Sequence, residues 1–195
     1  MRLVSDHLAH RRTNVAVIDE RALHHPYLDR LFTDPDGFGL ELQLEFMVDR
    51  ALFVKRWLTA GHSLVMERSH LEDPVFIRHL LAFGHVTPAE HDAYLAIWAA
   101  LDARLPRPDL MVLVDVPAAI SIDRLSRDDG AEGRPPFADE DARRAWVTSW
   151  HERYRERFDE LQSDPSVSRR IVTVSGEADH DRLMSEVAAA LERVL

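Results

Sequence analysis

The chain has 195 residues, 46% of them hydrophobic and 30% charged, the balance of a single globular domain over residues 1–195. Twenty-four basic against 34 acidic residues give a formal charge of −10, which argues against a broad nucleic-acid footprint. The absence of cysteine excludes disulfides and thiolate chemistry, no apolar run nears the ~18 residues of a membrane span, and the opening MRLVSDHLAH lacks an apolar signal core, so a cytoplasmic protein is expected.

In chain order, residues 2–11 read as a short amphipathic helix (Leu3, Val4, Leu8) with no strand before it. Residues 14–19 (NVAVID) form the first β-branched apolar run, the mark of a strand covered on both faces. A long helix is predicted over 39–60, with Leu40, Leu44, Met47, Ala51, Val54 and Leu58 along one stripe. A second strand at 63–67 (SLVME) leads to helices at 74–83 and 88–103, whose Pro74 and Pro88 sit near helix starts. A third strand at 110–115 (LMVLVD) is followed by helices at 118–126 and 139–161. A fourth at 170–174 (RIVTV) precedes a last helix at 181–194. Strands alternating with helices predict an α/β fold, a parallel sheet with helices on both faces.

Ligands of such sheets bind beyond the carboxyl ends of the strands. There the chain places Asp19-Glu20, Glu67-Arg68-Ser69 with Asp73 shortly after, and Asp115. Glu67, Arg68 and Ser69 set a metal-capable oxygen beside an anion-binding guanidinium. On the long helix, Gln43, Met47 and Arg50 stand at i, i+4 and i+7 and share a face beside Phe46, a wall suited to a flat heterocycle. Taken alone, a solvated helix face explains Gln43 and Arg50 better. The polar loop 124–136 carries Arg124, Arg127 and Arg134 and reads equally as a solvated connection or as a lid over phosphate charge. The histidines, among them His24, His25 and His79, show no ligand set with supporting carboxylates, and neither HExxH nor GxSxG occurs.

Together, Glu20 followed by Pro26-Tyr27-Leu28, Phe32-Thr33-Asp34-Pro35, Leu42-Gln43-Leu44 with Arg50, Glu67-Arg68-Ser69 with Asp73, and Leu105-Pro106-Arg107-Pro108-Asp109 before a strand ending at Asp115 resemble the deoxynucleoside kinases. The bacterial deoxyadenosine/deoxyguanosine kinase type is the nearest in pattern, over residues 15–158. The resemblance implies a P-loop-kinase-like fold and phosphoryl transfer from ATP with Mg²⁺ to the 5′-hydroxyl of a deoxynucleoside, with purine preference, in nucleotide salvage. It implies that Glu20 is the base at the 5′-hydroxyl, that Glu67 helps hold Mg²⁺ and that Arg68 lies over the transferring phosphate. Gln43 would read the base with Arg50, Asp73 and Met47. Arg127 and Arg134 would serve a lid over about 127–136. It also implies a homodimer built on the long helices 39–60 and 88–103.

Three features depart from the family pattern. Phe32 replaces a sugar-contacting tyrosine, and the base-stacking aromatic falls at Ile77 with Phe76 adjacent. The seven glycines and the single lysine, Lys55, form no GxxxxGK[ST], so the first strand and phosphate loop of the family are not in the chain. That strand belongs between the first and third strands read above. The resemblance therefore implies an N-terminally truncated form, inactive as given, whose phosphate loop lies roughly 25 codons upstream, the length of a strand and loop. Thymidylate-type kinases share the fold, but only Arg21 adds basic charge near Glu20 for an acceptor phosphate. A non-catalytic nucleoside-binding remnant is the alternative from a different class.

Overall fold

The structure, a computed structural model, describes residues 4, 14–20, 25, 27–31, 33–127, 137–177 and 180–193. The helix expected over 2–11, Phe32, Arg134 and the rest of the expected lid beyond Arg127 lie outside the described residues.

Four parallel strands form: β1 (Val15–Ile18), β2 (Ser63–Met66), β3 (Met111–Asp115) and β4 (Ile171–Ser175). The helices are α1 (Leu28–Leu31), α2 (Pro35–Thr59), α3 (Asp73–Ala82), α4 (Pro88–Asp102), α5 (Ala118–Arg127), α6 (Glu140–Ser163) and α7 (His180–Leu191). Each predicted strand and each predicted helix from 39 onwards is present within a few residues. The largest shift is at α2, which starts four residues early. Asp34 accepts the Gly37 N–H at 3.0 Å and Pro35 occupies the first turn, so a good cap outweighs two helix glycines. Gly39 lies under Leu80, where a Cβ would come within 3.2 Å of Leu80. Gly61, at φ +79°, closes the C-terminal end.

β1 pairs with β2 (Ala16 opposite Leu64) and β3 with β4 (Leu113 opposite Thr173). Among the described residues the two pairs are not joined to each other. Residues 63–69 and 106–118 line one cavity of about 2360 Å³, so the unpaired edges of β2 and β3 open onto shared space. The open space therefore lies between β2 and β3, whose residues line the cavity while those of β1 do not, and not between the first and third strands. Cover is uneven: Ala16 and Val174 are buried, whereas Val17 and Val114 are exposed.

Three apolar clusters hold the elements. Met47, Ile77, Leu80, Val86 and Tyr94 join α2, α3 and α4. Val174, Val187 and Leu191 gather Val4, Val15, Val65 and Val112, so both strand pairs share one core. Leu71, Leu161 and Val167 seat α6 under the turn that follows β2. That turn is fastened by Trp98 Nε1 to the His70 carbonyl at 2.7 Å and Arg157 Nε to the Leu71 carbonyl at 2.7 Å. It is the platform of the candidate site.

Candidate active site

Parallel pairing brings the carboxyl ends of β1 and β2 side by side, and the Glu67 N–H still bonds the Ile18 carbonyl at 2.9 Å beyond the strands. Asp19 and Glu67 are thereby brought close enough to hydrogen-bond. Burial, this bond and the Asp19 charge raise the Glu67 pKa, while Arg68 pulls it down. Two carboxyls so placed share either a proton or a hard cation.

Arg68 follows with a left-handed backbone (φ +58°), rare for a side chain with a Cβ, and Ser69 then caps the turn. Arg68 Nη1 meets Glu20 Oε2 at 2.9 Å. The other Glu20 oxygen is bound by Arg50 Nη2, and Arg50 Nη1 binds Asp73 Oδ1. The result is a continuous chain, Asp73–Arg50–Glu20–Arg68, with two acids and two bases. Phe76 lies beneath it, 5.4 Å from the Arg50 guanidinium carbon and 5.2 Å from that of Arg68, and Phe46 approaches Arg50 to 4.7 Å. Asp73 is fully buried, and burial pushes its carboxyl up to about 7 against the pull of Arg50. Burial also lowers Arg50, but Asp73 and Glu20 outweigh it and hold the guanidinium above its usual value.

Gln43 and Arg50 are each only 4% exposed and Met47 1%, so the solvated-face reading of this stripe does not hold. Gln43 Oε1 and Asp73 Oδ2 have no hydrogen-bond partner among the described residues. Glu20, Gln43, Glu67, Arg68 and Phe76 line the cavity, with Arg50, Asp73 and Met47 behind them. Gln43 is thus a buried polar group left open at the cavity wall, the kind of group that ligand sites present.

Other expectations shift. Ile77 is fully buried against Met47 and Tyr94, so the aromatic that faces the cavity is Phe76, one helical step earlier. Arg127 ends α5, its side chain 73% exposed and paired with Asp123 at 2.6 Å, and it does not line the cavity. Lys55 is exposed on α2. The histidine reading also needs correcting: His25 is buried and meets Glu45 and Asp49. Glu72 and Tyr154 were not anticipated. Burial raises the Glu72 pKa against the pull of Arg50 and Arg68, and Tyr154 donates to Glu72 Oε2 at 3.3 Å. The Ser-x-x-Glu spacing of Ser69 and Glu72 carried a signal for the first; nothing local marks Tyr154.

Comparison with known proteins decides the family: residues 4–192 match the deoxynucleoside kinase model. The chain belongs to the deoxynucleoside kinase family. Deoxynucleoside kinases similar to it include deoxyadenosine kinase of Dictyostelium discoideum, 25% identical over 112 residues, or 57% of this chain and 46% of that protein. Deoxyguanosine kinase of Lactobacillus acidophilus is 30% identical over 115 residues, 56% of this chain and 48% of the other. The chain thus spans about half the length of the curated relatives it matches. In fold it resembles deoxyadenosine kinase from M. mycoides with the products dCMP and a flexible dCDP bound, at TM-score 0.75 and 16% identity, covering 98% of this chain and 92% of that one. The expected P-loop-kinase-like α/β fold is thereby shown. No helix among the described residues is long and apolar enough to cross a membrane.

Proposed function

We propose that the chain carries the acceptor half of an ATP-dependent deoxynucleoside kinase, a cytoplasmic nucleotide-salvage enzyme that phosphorylates the 5′-hydroxyl of a purine deoxynucleoside. The observation that carries this reading is the Asp73–Arg50–Glu20–Arg68 chain at one wall of the cavity, with the unpartnered Gln43 amide beside it. Each Glu20 oxygen is engaged by one arginine and keeps a second lone pair, so the carboxylate can accept the 5′-hydroxyl hydrogen and aim its oxygen. Arg68, the more exposed cation, is free to meet phosphate charge. Gln43 and Asp73, with Arg50 fixing the latter, offer donors and acceptors to a base edge over Phe76. The resemblance assigns contacts to Met47 and Phe32 as well, and phosphate contacts to Arg127 and Arg134.

The facing carboxyls of Asp19 and Glu67 fit Mg²⁺, an oxygen-seeking ion, and when bound it would neutralise donor phosphate charge. The residues present do not fit the phosphates of ATP: GxxxxGK[ST] is absent and the one lysine is exposed on α2. We read the space between β2 and β3 as the place of a further parallel strand bearing the phosphate loop, because an unpaired strand edge on each side is costly when buried. A homodimer across α2 and α4, which expose Val48, Leu52 and Ile97, completes the reading.

The test is transfer of labelled phosphate from ATP to deoxyadenosine, deoxyguanosine, deoxycytidine or dTMP, by the 195-residue chain and by the product extended through the upstream codons. The expected result is a purine deoxynucleoside 5′-monophosphate from the extended product alone. Turnover by the 195-residue chain would refute the inactive form; transfer to dTMP alone would favour a thymidylate-type kinase; no transfer by either would leave a binding remnant.

A further inference from the structure

A second cluster lies at the wall of the same cavity and shares Phe46 with Arg50 in the contacts it makes. His25, between β1 and α1 in the chain, is buried with its ring centroid 3.9 Å from that of Phe46. Its Nδ1 is 3.7 Å from Glu45 Oε2, too long for a hydrogen bond. Asp49 stands one turn further along α2, and one ligand atom from each of the three residues lies within 4.8 Å of the others. Neither His25 nitrogen nor Glu45 Oε2 has a hydrogen-bond partner among the described residues.

Such an arrangement is unfavourable without an occupant. Glu45 and Asp49, at i and i+4, repel each other. Three buried polar atoms stay unsatisfied, each of them costly. One divalent cation offsets the repulsion and satisfies two of these atoms, because it takes the imidazole lone pair and both carboxylates together.

We propose that His25, Glu45 and Asp49 form a binding site for a divalent transition metal ion of the Zn²⁺ class, which fastens His25 to α2. Two bonds of about 2.0–2.1 Å to a common ion span the 3.7 Å between His25 Nδ1 and Glu45 Oε2. A mixed nitrogen–oxygen set suits Zn²⁺, Co²⁺ or Mn²⁺ better than Mg²⁺, which prefers oxygen alone. Three protein ligands leave a further position for water. The role is positional: His25 stands between Glu20 and α1 in the chain, and α2 carries Gln43 and Arg50.

Titration of the full chain with Co²⁺, followed by its visible absorption, tests the site without any need for activity. One saturable ion per chain is expected, with Zn²⁺ displacing it and raising the thermal midpoint. His25→Ala and Asp49→Asn should each weaken binding by about tenfold or more. Asp49 is only partly buried, so its isosteric change keeps the fold testable should His25→Ala fail to fold. Glu67→Gln, at the other carboxyl pair, should leave Co²⁺ binding unchanged. Absence of saturable binding, indifference to Asp49→Asn, or loss on Glu67→Gln would overturn the proposal.

Discussion

Arg50 is the hub of the site, since it meets Asp73 and Glu20 at once while sandwiched by Phe46 and Phe76. Removing it leaves the fully buried Asp73 carboxylate without a countercharge. Arg50→Met should therefore cost about 3–5 kcal/mol, read from urea unfolding. Two buried groups give opposite pH slopes. The Asp73 carboxyl is raised by burial to about 7, so the folded state holds its proton longer than the unfolded chain. Its contribution is greatest below the unfolded value and is lost as pH rises towards 7. His79, stacked 4.0 Å from Trp150, is lowered by burial to about 4, so its contribution is present above the unfolded value of about 6.5 and is lost as pH falls towards 4. Urea midpoints at pH 5 and 7.5 separate them: Asp73→Asn should remove a fall in stability with rising pH, and His79→Phe a rise. At this scale the sequence made Gln43, Met47 and Arg50 legible as one face, because helical spacing is local. The Arg50–Asp73 bond joins residues 23 apart, and no local pattern encodes it. Phe76 and Ile77 differ by one helical step, which only packing against Met47 and Tyr94 resolves.

At the level of elements, the junction between β2 and α3 is where backbone and chemistry conflict. Arg68 is held left-handed at φ +58° between a strand and the Ser69–Glu72 capping box. A side chain with a Cβ is strained there, and a glycine is not. Arg68→Gly should thus be more stable than Arg68→Ala by about 1 kcal/mol in urea unfolding, although both lose the ion pair with Glu20. Equal midpoints would mean that the junction carries no strain. Strands and helices were legible because each is a short periodic or β-branched run. The start of α2 was misread because Gly37 and Gly39 masked a strong cap at Asp34. The strain at Arg68 was invisible, since nothing in Glu-Arg-Ser announces a positive φ.

For the whole molecule, the arrangement is two strand pairs that share a core but leave the edges of β2 and β3 open to one cavity. Which strand edges are left open is decided by pairing, which no stretch of the sequence encodes locally. The homodimer reading rests on Val48 and Leu52 of α2 and Ile97 of α4, which are 46–56% exposed. Leu52→Glu should convert a dimer to a monomer in light scattering, whereas a chain already monomeric would contradict that reading. In the proposed function, Gln43, Asp73 and the Glu20 arginine chain bound a hollow for a purine deoxynucleoside. Calorimetric titration of deoxyadenosine and deoxyguanosine into the 195-residue chain tests it most directly, because every group invoked for the acceptor is present. Saturable binding that weakens about tenfold or more in Gln43→Ala is the predicted result. Either no binding or binding indifferent to Gln43→Ala would contradict it.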